Sequence, residues 1–378
     1  MNKCLFIVQH AVDARTGIGK KIIAQCETFN RLGIETELSS LVLDGRNKYC
    51  ARTLPGEPLE KFEKYLFIEK RFNWFWSYKK LSEYIKSKNI NYIYIRYTHF
   101  ANPFFINFLE DIKSFGVKIY IELPTYPYDA EYRSVGFMRS IYKNIERIYR
   151  WNMHNFIEKI ITYSDDDQIF NAKTIKLSNG IDVNKIPLKK KNIEKFGQLD
   201  ICTISSLEYW HGYDRLIEGY FLYAEKNPKL NIRLHFAGPK NSDLQKKYTP
   251  IIEEKGLSEN IIFHGYLNGQ PLDCLVDKSD FAVSVLGGHR KGLNKLCALK
   301  SREYCARGIP FIYSGSDEAF DDKDYVLRIP HDESPVDFAK AINWFRQLTN
   351  TRSRMRKFSI DNLSWEAQLV RVTREMKE

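Results

Sequence analysis

The stretch from Lys300 to Pro310 combines a cation, a carboxylate and a Gly-x-Pro turn, residue types that suit the binding of a nucleotide. We predict a helix that ends at Gly308–Pro310 and leads into a strand. A carboxylate such as Glu303 can accept two hydrogen bonds from the vicinal hydroxyls of a ribose. Lys300 and the amides at the start of the helix can balance the charge of a diphosphate. The alternative is an exposed helical salt bridge between Lys300 and Glu303.

A second anion-binding pattern follows the first predicted strand, between Asp13 and Lys20. Gly17 and Gly19 form a turn that opens a predicted helix over 21–32, and a helix start after a strand can receive a phosphate. The pattern is not a complete G-x-G-x-x-G fingerprint. A plain tight turn is therefore an equal alternative.

Polar side chains also follow the predicted strands Ile90–Arg96 and Val117–Glu122. Open α/β sheets place their ligand crevice outside the carboxyl ends of the strands. The side chains predicted to act at this place are Arg96, His99, Glu122, Thr125, Tyr126 and Asp129. The alternative for Arg96 and Glu122 is a partly buried ion pair.

The elements that position these residues alternate between short apolar strands and longer helical patterns, which indicates α/β domains with parallel sheets. In the first half the predicted strands are Leu5–Val8, Glu35–Val42, Ile90–Arg96, Val117–Glu122, Lys159–Tyr163 and Thr174–Leu177. In the second half they are Asp200–Ile204, Ile232–Ala237, Ile261–Phe263, Phe281–Val285, Phe311–Tyr313 and Tyr325–Ile329. The charged stretch Lys189–Lys195 predicts an exposed linker between the halves.

Bulk composition agrees with two folded domains and narrows the choice of partners. The 378 residues exceed the size at which a single core stops growing, roughly 250–300 residues. The net charge of +11 favours polyanions such as nucleotides or an anionic membrane face, whereas motifs for nucleic-acid binding are missing from the sequence. Seven scattered cysteines indicate neither disulfides nor zinc. We expect a cytoplasmic protein without a signal peptide or membrane span.

Two charged segments each have two interpretations. Asp165–Asp167 could hold a metal ion, but we predict that it starts a helix and complements the helix dipole, so no metal is expected. The basic, amphipathic segment Arg139–Trp151 predicts either a solvated surface helix or a helix that contacts an anionic membrane peripherally.

The segment around Glu303 resembles the family 4, or group 1, glycosyltransferases, which carry an E-x7-E element before a Gly-x-Pro strand entry. Glu303 matches the second glutamate, and Lys295 stands where the first would be. The spacing from Lys300 to Glu303 is similar to a branch of the family that writes this element as Leu-Lys-x-x-Glu-Tyr. Further blocks resemble the family in the same order, namely Asn179–Asp182, Phe236–Gly238, Phe263–Tyr266 and Ser364–Glu366.

Other positions depart from the family pattern. Ser206 and His211 stand where the family has an Arg and a Lys that hold the donor pyrophosphate. We expect Lys300, with other cations and backbone amides, to replace them, and a protonated His211 could contribute. Pro124 takes the place of a family histidine, and the sequence leaves open whether His10, His99 or neither substitutes for it.

The resemblance implies the GT-B fold, in which two Rossmann-like domains face each other across a cleft and the last helix crosses back to the first domain. We expect an amino-terminal acceptor domain over 1–184 and 361–378, and a donor domain over 185–360. The implied donor residues are Gly17, Gly19, Ser206, His211, Gly238, His264, Gly265, Tyr266, Arg290, Lys291, Lys300, Arg302 and Glu303. Lys300, Glu303 and Glu122 are the expected catalytic residues.

The implied activity is transfer of a sugar, with retention of configuration and without a metal or other cofactor. The expected donor is a nucleotide sugar carrying uridine, and the expected acceptor is a glycan or lipid-linked glycan of cell-surface polysaccharide. Two alternatives stay open. One is an inactive glycan- or nucleotide-binding subunit, because family residues are missing, and the other is an enzyme that modifies a sugar nucleotide.

Overall fold

The computed structural model describes residues 2–14, 16–43, 50–57, 69–129, 137–190, 197–227 and 232–378. The chain divides into two compact units, Met1–Ser178 with Trp365–Glu378, and Asn179–Ser364. We call them unit 1 and unit 2. Unit 1 therefore contains both an amino-terminal and a carboxyl-terminal segment of the chain.

Unit 1 contains a seven-stranded sheet in the order β2-β1-β5-β6-β7-β9-β8, and β3 pairs with β4 in a separate hairpin. Its strands are β1 Lys3–Val8, β2 Glu35–Ser39, β3 Leu41–Leu43, β4 Cys50–Arg52, β5 Tyr92–Arg96, β6 Lys118–Leu123, β7 Lys159–Thr162, β8 Gln168–Ile169 and β9 Ala172–Lys176. Its helices are α1 Gly17–Arg31, α2 Glu69–Ser87, α3 Pro103–Ser114, α4 Phe137–Tyr149 and, from the end of the chain, α11 Trp365–Lys377.

The central strands of unit 1 are buried on both faces, as continuous apolar runs in parallel sheets usually are. In β1, Leu5 and Ile7 belong to one buried cluster, whereas Phe6 and its alternate neighbours belong to another. Helix α11 covers the second face, where Trp365 and Leu369 pack into the cluster that contains Phe6. The carboxyl-terminal helix thus completes the core of unit 1.

Unit 2 contains a six-stranded parallel sheet in the order β12-β11-β10-β13-β14-β15. Its strands are β10 Leu199–Ile204, β11 Ile232–Ala237, β12 Ile261–Gly265, β13 Phe281–Val283, β14 Phe311–Ser314 and β15 Val326–Ile329. Its helices are α5 Tyr213–Lys226, α6 Asp243–Glu254, α7 Gly269–Lys278, α8 Leu299–Arg307, α9 Phe338–Gln347 and α10 Thr351–Phe358. Because β10 lies between β11 and β13, the strand order reverses there, and such a point favours a ligand crevice.

The predicted fold class of two parallel α/β domains is confirmed, whereas several local predictions are wrong. Residues 35–42 form parts of two strands, β2 and β3, instead of one. Helix α1 begins at Gly17, four residues before the predicted start, because Thr16 caps it by accepting a hydrogen bond from the Gly19 amide. Asp165–Asp167 does not start a helix, since the β8–β9 hairpin follows it.

The predicted linker is only partly visible, because residues 191–195 lie outside the described residues. Lys189 is buried, which contradicts an exposed linker at this position. Its ammonium donates to the carbonyls of Val276, Asp277 and Ser279, at 3.1, 2.5 and 2.6 Å. These are carbonyls at the end of α7, which a cation stabilises.

None of the helices in the described part of the chain combines the length and the apolar composition needed to cross a membrane.

Candidate active site

Two loops at the point where the strand order reverses contact each other through glycines. Gly212 follows β10 and has φ +69°, and a Cβ added there would lie 2.6 Å from the Gly287 nitrogen. Next to this contact, the Leu286 amide donates to the His211 carbonyl at 2.8 Å. The loop after β10 and the loop after β13 are therefore joined where a ligand crevice is expected.

Helix α8 brings Lys300 to these loops. The Lys300 ammonium donates to the Tyr213 hydroxyl at 3.1 Å, and burial lowers the pKa of Lys300 to about 7. A hydrogen bond of 2.7 Å between the Ser301 and Ser284 hydroxyls fixes the start of the helix against the loop after β13. The N-cap residue Ala298 offers no side-chain acceptor, so the first amides of α8 stay available to an anion.

His211 lies beside Lys300 but is neutral. Its Nδ1 accepts a hydrogen bond from the Glu208 amide at 3.1 Å, so the ring proton is on Nε2. Burial, together with the charges of Lys300 and Lys291, lowers the pKa of His211 to about 3. The lowered pKa disfavours a protonated His211, and its neutral Nε2–H is the donor that it offers to a phosphate.

Lys291 and Ser206 flank this group of residues. The Lys291 ammonium lies 3.8 Å from the centre of the Trp210 ring, a cation–π contact that keeps the charge close to the joined loops. Ser206 lies in the loop after β10 and lines a cavity together with Tyr209. Lys300 and Lys291 are therefore the predicted donor cations that the structure places next to His211.

Arg302 and Arg290 do not have this role. The side chain of Arg302 is 1% exposed and forms a buried ion pair with Asp317, which contradicts its assignment to the donor. Arg290 donates to both Asp214 carboxylate oxygens at 3.0 and 2.8 Å and also pairs with Glu333. Because two carboxylates already neutralise Arg290, we assign it the role of holding the loop after β13 in place.

Glu303 accepts a hydrogen bond of 2.9 Å from Arg307, one turn later on α8, rather than from Lys300. Arg307 also pairs with Asp273 on α7 at 2.7 Å. The side chain of Glu303 keeps 31% of its surface exposed, so it can still meet a ligand. The simple salt bridge between Lys300 and Glu303 is not the arrangement observed.

Two predicted donor residues lie at the end of β12, the half-buried His264 within the strand and the exposed Tyr266 after it. His264 contacts His235 at 2.9 Å, and His235 contacts the buried Asp200 at 2.9 Å. Burial, followed by the charges of His235 and Lys278, lowers the pKa of His264, which fits a ring engaged within the sheet. In contrast, Tyr266 is 76% exposed and can stack on a flat ligand.

At three of the four predicted glycines the structure gives a reason for the absence of a side chain, and the reasons differ. A Cβ at Gly19 would lie 1.9 Å from the Asp13 carbonyl oxygen, so the turn before α1 requires glycine. At Gly238 a Cβ would lie 2.3 Å from the Ser205 carbonyl oxygen, and Gly265 has φ +79°. Gly17 has open space around it. The plain tight-turn interpretation thus explains Gly19 without a ligand.

Glu122 in unit 1 is completely buried, at 0% exposure, which contradicts its assignment as a catalytic residue. Its carboxylate accepts hydrogen bonds from Gln25 and Tyr94, both at 2.8 Å, and pairs with Arg96 and Lys21. Burial alone would raise the pKa of Glu122, but Lys21 and Arg96 outweigh it and hold the pKa at about 2. Arg96 is buried in its ion pair with Glu122, which also contradicts the assignment of Arg96 to the acceptor site.

His99, after β5, stacks on Tyr128 with ring centres 3.8 Å apart and has a left-handed backbone with φ +60°. Burial and Arg150 lower the pKa of His99 to about 4, whereas Asp129 opposes the shift. Asp129 accepts two hydrogen bonds from Arg150, at 3.0 and 3.1 Å. His99 and Asp129 therefore lie in one polar cluster at the carboxyl ends of β5 and β6.

Thr125 and Tyr126 are half-buried in the loop after β6, and Tyr126 meets Phe170 edge to face at 5.8 Å. His10 follows β1, and burial and Arg96 lower its pKa. Both His10 and His99 are thus neutral at the ends of neighbouring strands. Whether His10, His99 or neither takes the place of the family histidine stays open.

The sequence did not reveal two residues that hold candidate site residues in place, one in each unit. Glu146 on α4 accepts hydrogen bonds from Tyr97 and Tyr128, at 2.6 and 2.5 Å, and so supports the stacking partner of His99. The buried Arg215 donates to the Ser334 and Pro330 carbonyls at 2.7 and 3.0 Å and also to that of Leu286. One sequence signal could have indicated Glu146, because it is the single anion in the basic segment Arg139–Trp151. No spacing in the sequence indicates the partners of Arg215.

Within the residues that the structure describes, no group of three or more His, Cys, Asp or Glu side chains could hold a metal ion. Asp165–Asp167 is therefore not part of such a group.

Comparison with known proteins gives one family match and many structural matches. Residues 184–361 match the family model described as glycosyl transferases group 1. Solved structures match over the whole chain. No protein with a curated description matches the sequence.

Three of these structures match this chain over nearly their whole length. A glycosyltransferase from Rickettsia africae ESF-5 is 15% identical, with TM-score 0.67, over 100% of this chain and 98% of that one. Sucrose-phosphate synthase from Thermosynechococcus elongatus is 13% identical, with TM-score 0.62 and the same coverage. The catalytic domain of starch synthase IV from Arabidopsis thaliana, bound to ADP and acarbose, is 11% identical, with TM-score 0.63, over 100% and 99%. At these identities the likeness shows the fold.

Proposed function

We propose that this protein, which has a GT-B fold and whose residues 184–361 match the group 1 glycosyltransferase family model, transfers a sugar from a uridine diphosphate sugar to a glycan or lipid-linked acceptor. The product belongs to cell-surface polysaccharide, and the sugar keeps its anomeric configuration. The observation that carries the proposal is the position of Lys300, at the start of α8 and beside His211, where two loops join.

The chemistry follows from charge that develops as the glycosidic bond breaks. The departing diphosphate gains negative charge, and cations or amides held in place stabilise that charge without rearranging. Lys300, the first amides of α8 and the Nε2–H of His211 can supply this stabilisation. Glu303 and Tyr266 are then proposed to bind the ribose and the base.

We predict that Glu303→Gln weakens nucleotide binding. A neutral amide cannot form charge-assisted hydrogen bonds to both ribose hydroxyls, and this loss should cost about 1.5–3 kcal/mol, or roughly 10- to 150-fold in Kd. Isothermal titration with UDP measures the change. Asp273→Asn is the matched control, because it removes the other carboxylate partner of Arg307 and leaves Glu303 intact. Equal affinities of wild type and Glu303→Gln would remove Glu303 from the site.

We also predict that turnover does not require a divalent cation, because Lys300 and backbone amides provide positive charge at the diphosphate. Excess EDTA should leave the rate of sugar transfer unchanged. Activity that disappears with EDTA and returns with Mn²⁺ would show instead that a metal performs the electrostatic role.

The acceptor side of the proposal includes peripheral contact with an anionic membrane. Helix α4 and the turn after it expose the apolar residues Ile141, Ile148 and Trp151, with the cation Arg147 nearby in sequence. Apolar and basic residues together favour an anionic lipid surface. Vesicles of phosphatidylglycerol should co-sediment the protein more strongly than vesicles of phosphatidylcholine, and Ile148→Asp should abolish the difference. Equal sedimentation of Ile148→Asp and wild type would exclude this helix as the contact.

An inactive binding subunit is the alternative class. It would bind UDP without releasing sugar from any UDP-sugar, in the presence or absence of acceptor. A binding titration combined with an assay for released UDP distinguishes the two functions.

A further inference from the structure

A cavity of about 430 Å³ lies in unit 2 between the loop after β10 and the start of α6. Its lining includes Ser206, Tyr209, Asp214, Asn241, Asp243 and Lys247. Neither Lys300 and Glu303 on α8 nor the loop after β12 contributes to the lining. Its volume is within the usual range of ligand pockets, roughly 300–1,000 Å³. The cavity is therefore adjacent to the proposed donor site and shares Ser206 and Tyr213 with it, whereas its other walls are different.

The backbone that forms the walls of this cavity has an uncommon conformation at two residues. Leu207 and Asn241 both line it and have positive φ angles, +56° and +59°, which are uncommon for residues other than glycine. The two loops that contain them approach closely at Gly238, where a Cβ would lie 2.6 Å from the Leu207 side chain. The cavity is thus a consequence of tightly packed loops rather than a gap between loosely packed ones.

The charges in the lining do not suit a phosphate. Three carboxylates, from Glu208, Asp214 and Asp243, outnumber two cations, from Lys247 and Arg290. Arg290 is already bonded to both oxygens of Asp214. The net charge left is negative, which repels a nucleotide and favours a neutral ligand that donates hydrogen bonds.

We propose that this cavity binds a neutral saccharide unit, separately from the nucleotide. Tyr209 is 63% exposed and provides an aromatic face for the apolar side of a sugar ring. The carboxylate of Asp243 and the amide of Asn241 line the same space and can accept or donate hydrogen bonds to hydroxyl groups. This site does not depend on transferase activity, so it can be tested apart from the proposed function.

Saturation-transfer NMR tests the proposal with free glucose, galactose and N-acetylglucosamine as probes and the full chain as receptor. At least one sugar should give a signal, and saturating UDP or inorganic phosphate should leave that signal unchanged. Tyr209→Ala and Asp243→Asn should each reduce the signal at least five-fold, and Tyr209→Phe should restore most of it. Leu222→Ala is the matched control, since it removes an exposed apolar side chain of unit 2 outside this cavity and should have no effect.

Three results would overturn the proposal. One is a signal displaced by UDP or phosphate, which would make the cavity part of the donor site. Another is a signal unaffected by either Tyr209→Ala or Asp243→Asn in protein with a wild-type circular dichroism spectrum. The third is no signal from any of the three sugars at concentrations of tens of millimolar.

Discussion

Lys300→Ala is expected to lower kcat by about 10²–10³-fold, the effect typical of losing one preorganised electrostatic donor at a developing oxyanion. The donor Kd should change less, because the charge on the diphosphate is greatest in the transition state. Lys300→Arg should recover little activity, since a planar guanidinium does not fit the place of a compact ammonium bonded to Tyr213. Steady-state kinetics, with UDP binding measured separately, resolves the two parameters.

The pKa of Lys300 adds a signature that a structural lysine would not give. Because burial holds the pKa at about 7 in the free protein, and a diphosphate must raise it, binding takes up a proton above neutral pH. The Kd for UDP should therefore increase up to about 10-fold per unit as the pH rises above 7. In Lys300→Met this dependence should disappear.

The same substitution should stabilise the protein without ligand. A lysine whose pKa is depressed from about 10.4 in the unfolded chain costs stability below pH 7, and the cost decreases as the pH rises from 7 to about 10. Lys300→Met should thus raise the free energy of unfolding at pH 7, by up to about 4 kcal/mol. Lys291→Met serves as the control cation. Normal turnover in Lys300→Ala with inactive Lys291→Ala or His211→Ala would move the phosphate site to the neighbouring loops.

Glu122→Ala is expected to lower the free energy of unfolding by about 3–5 kcal/mol, because it leaves Lys21 and Arg96 buried without their shared carboxylate. Urea denaturation followed by circular dichroism measures this loss. Glu110→Ala removes an exposed glutamate of unit 1 and should have little effect.

The pH dependence of the Glu122 effect has a defined sign. Its folded pKa of about 2 lies below the value near 4.3 of an unfolded chain, so its stabilisation is fully present above pH 4.3. That stabilisation is lost as the pH falls from about 4 to 2, and the difference between wild type and Glu122→Ala should narrow there. A Glu122→Ala protein with wild-type stability but no activity would instead support a catalytic role.

The sequence predicted most strands within one or two residues, because apolar runs between helical patterns report burial directly. It also selected Lys300 as a donor residue, from its spacing to Glu303 and to the Gly-x-Pro turn, and that role stays a prediction. Arg302 was wrongly assigned to the donor site, because the residue types of a helix do not show towards which neighbour each side chain points. Residues two apart on a helix point to different faces, and Arg302 points towards Asp317.

Glu122 shows a second limit of sequence reasoning. A polar residue at the end of a buried strand can face a ligand or a neighbouring helix, and the strand pattern is the same in both cases. The answer depends on Lys21 and Gln25, which lie on α1 about one hundred positions earlier in the chain. Tyr213, the partner of Lys300, could not be predicted for the same reason, since tertiary contacts decide it.

The position of α11 in the core of unit 1 constrains the order in which the chain can fold during synthesis. Residues 365–378 leave the ribosome only after all of unit 2 has been translated. Until then, Phe6 on the sheet and Phe29 on α1 lack the cover that Trp365, Leu369 and Val372 provide. Unit 2 can therefore fold first although it is translated second, and the nascent amino-terminal segment has apolar surface that a chaperone could bind in the meantime.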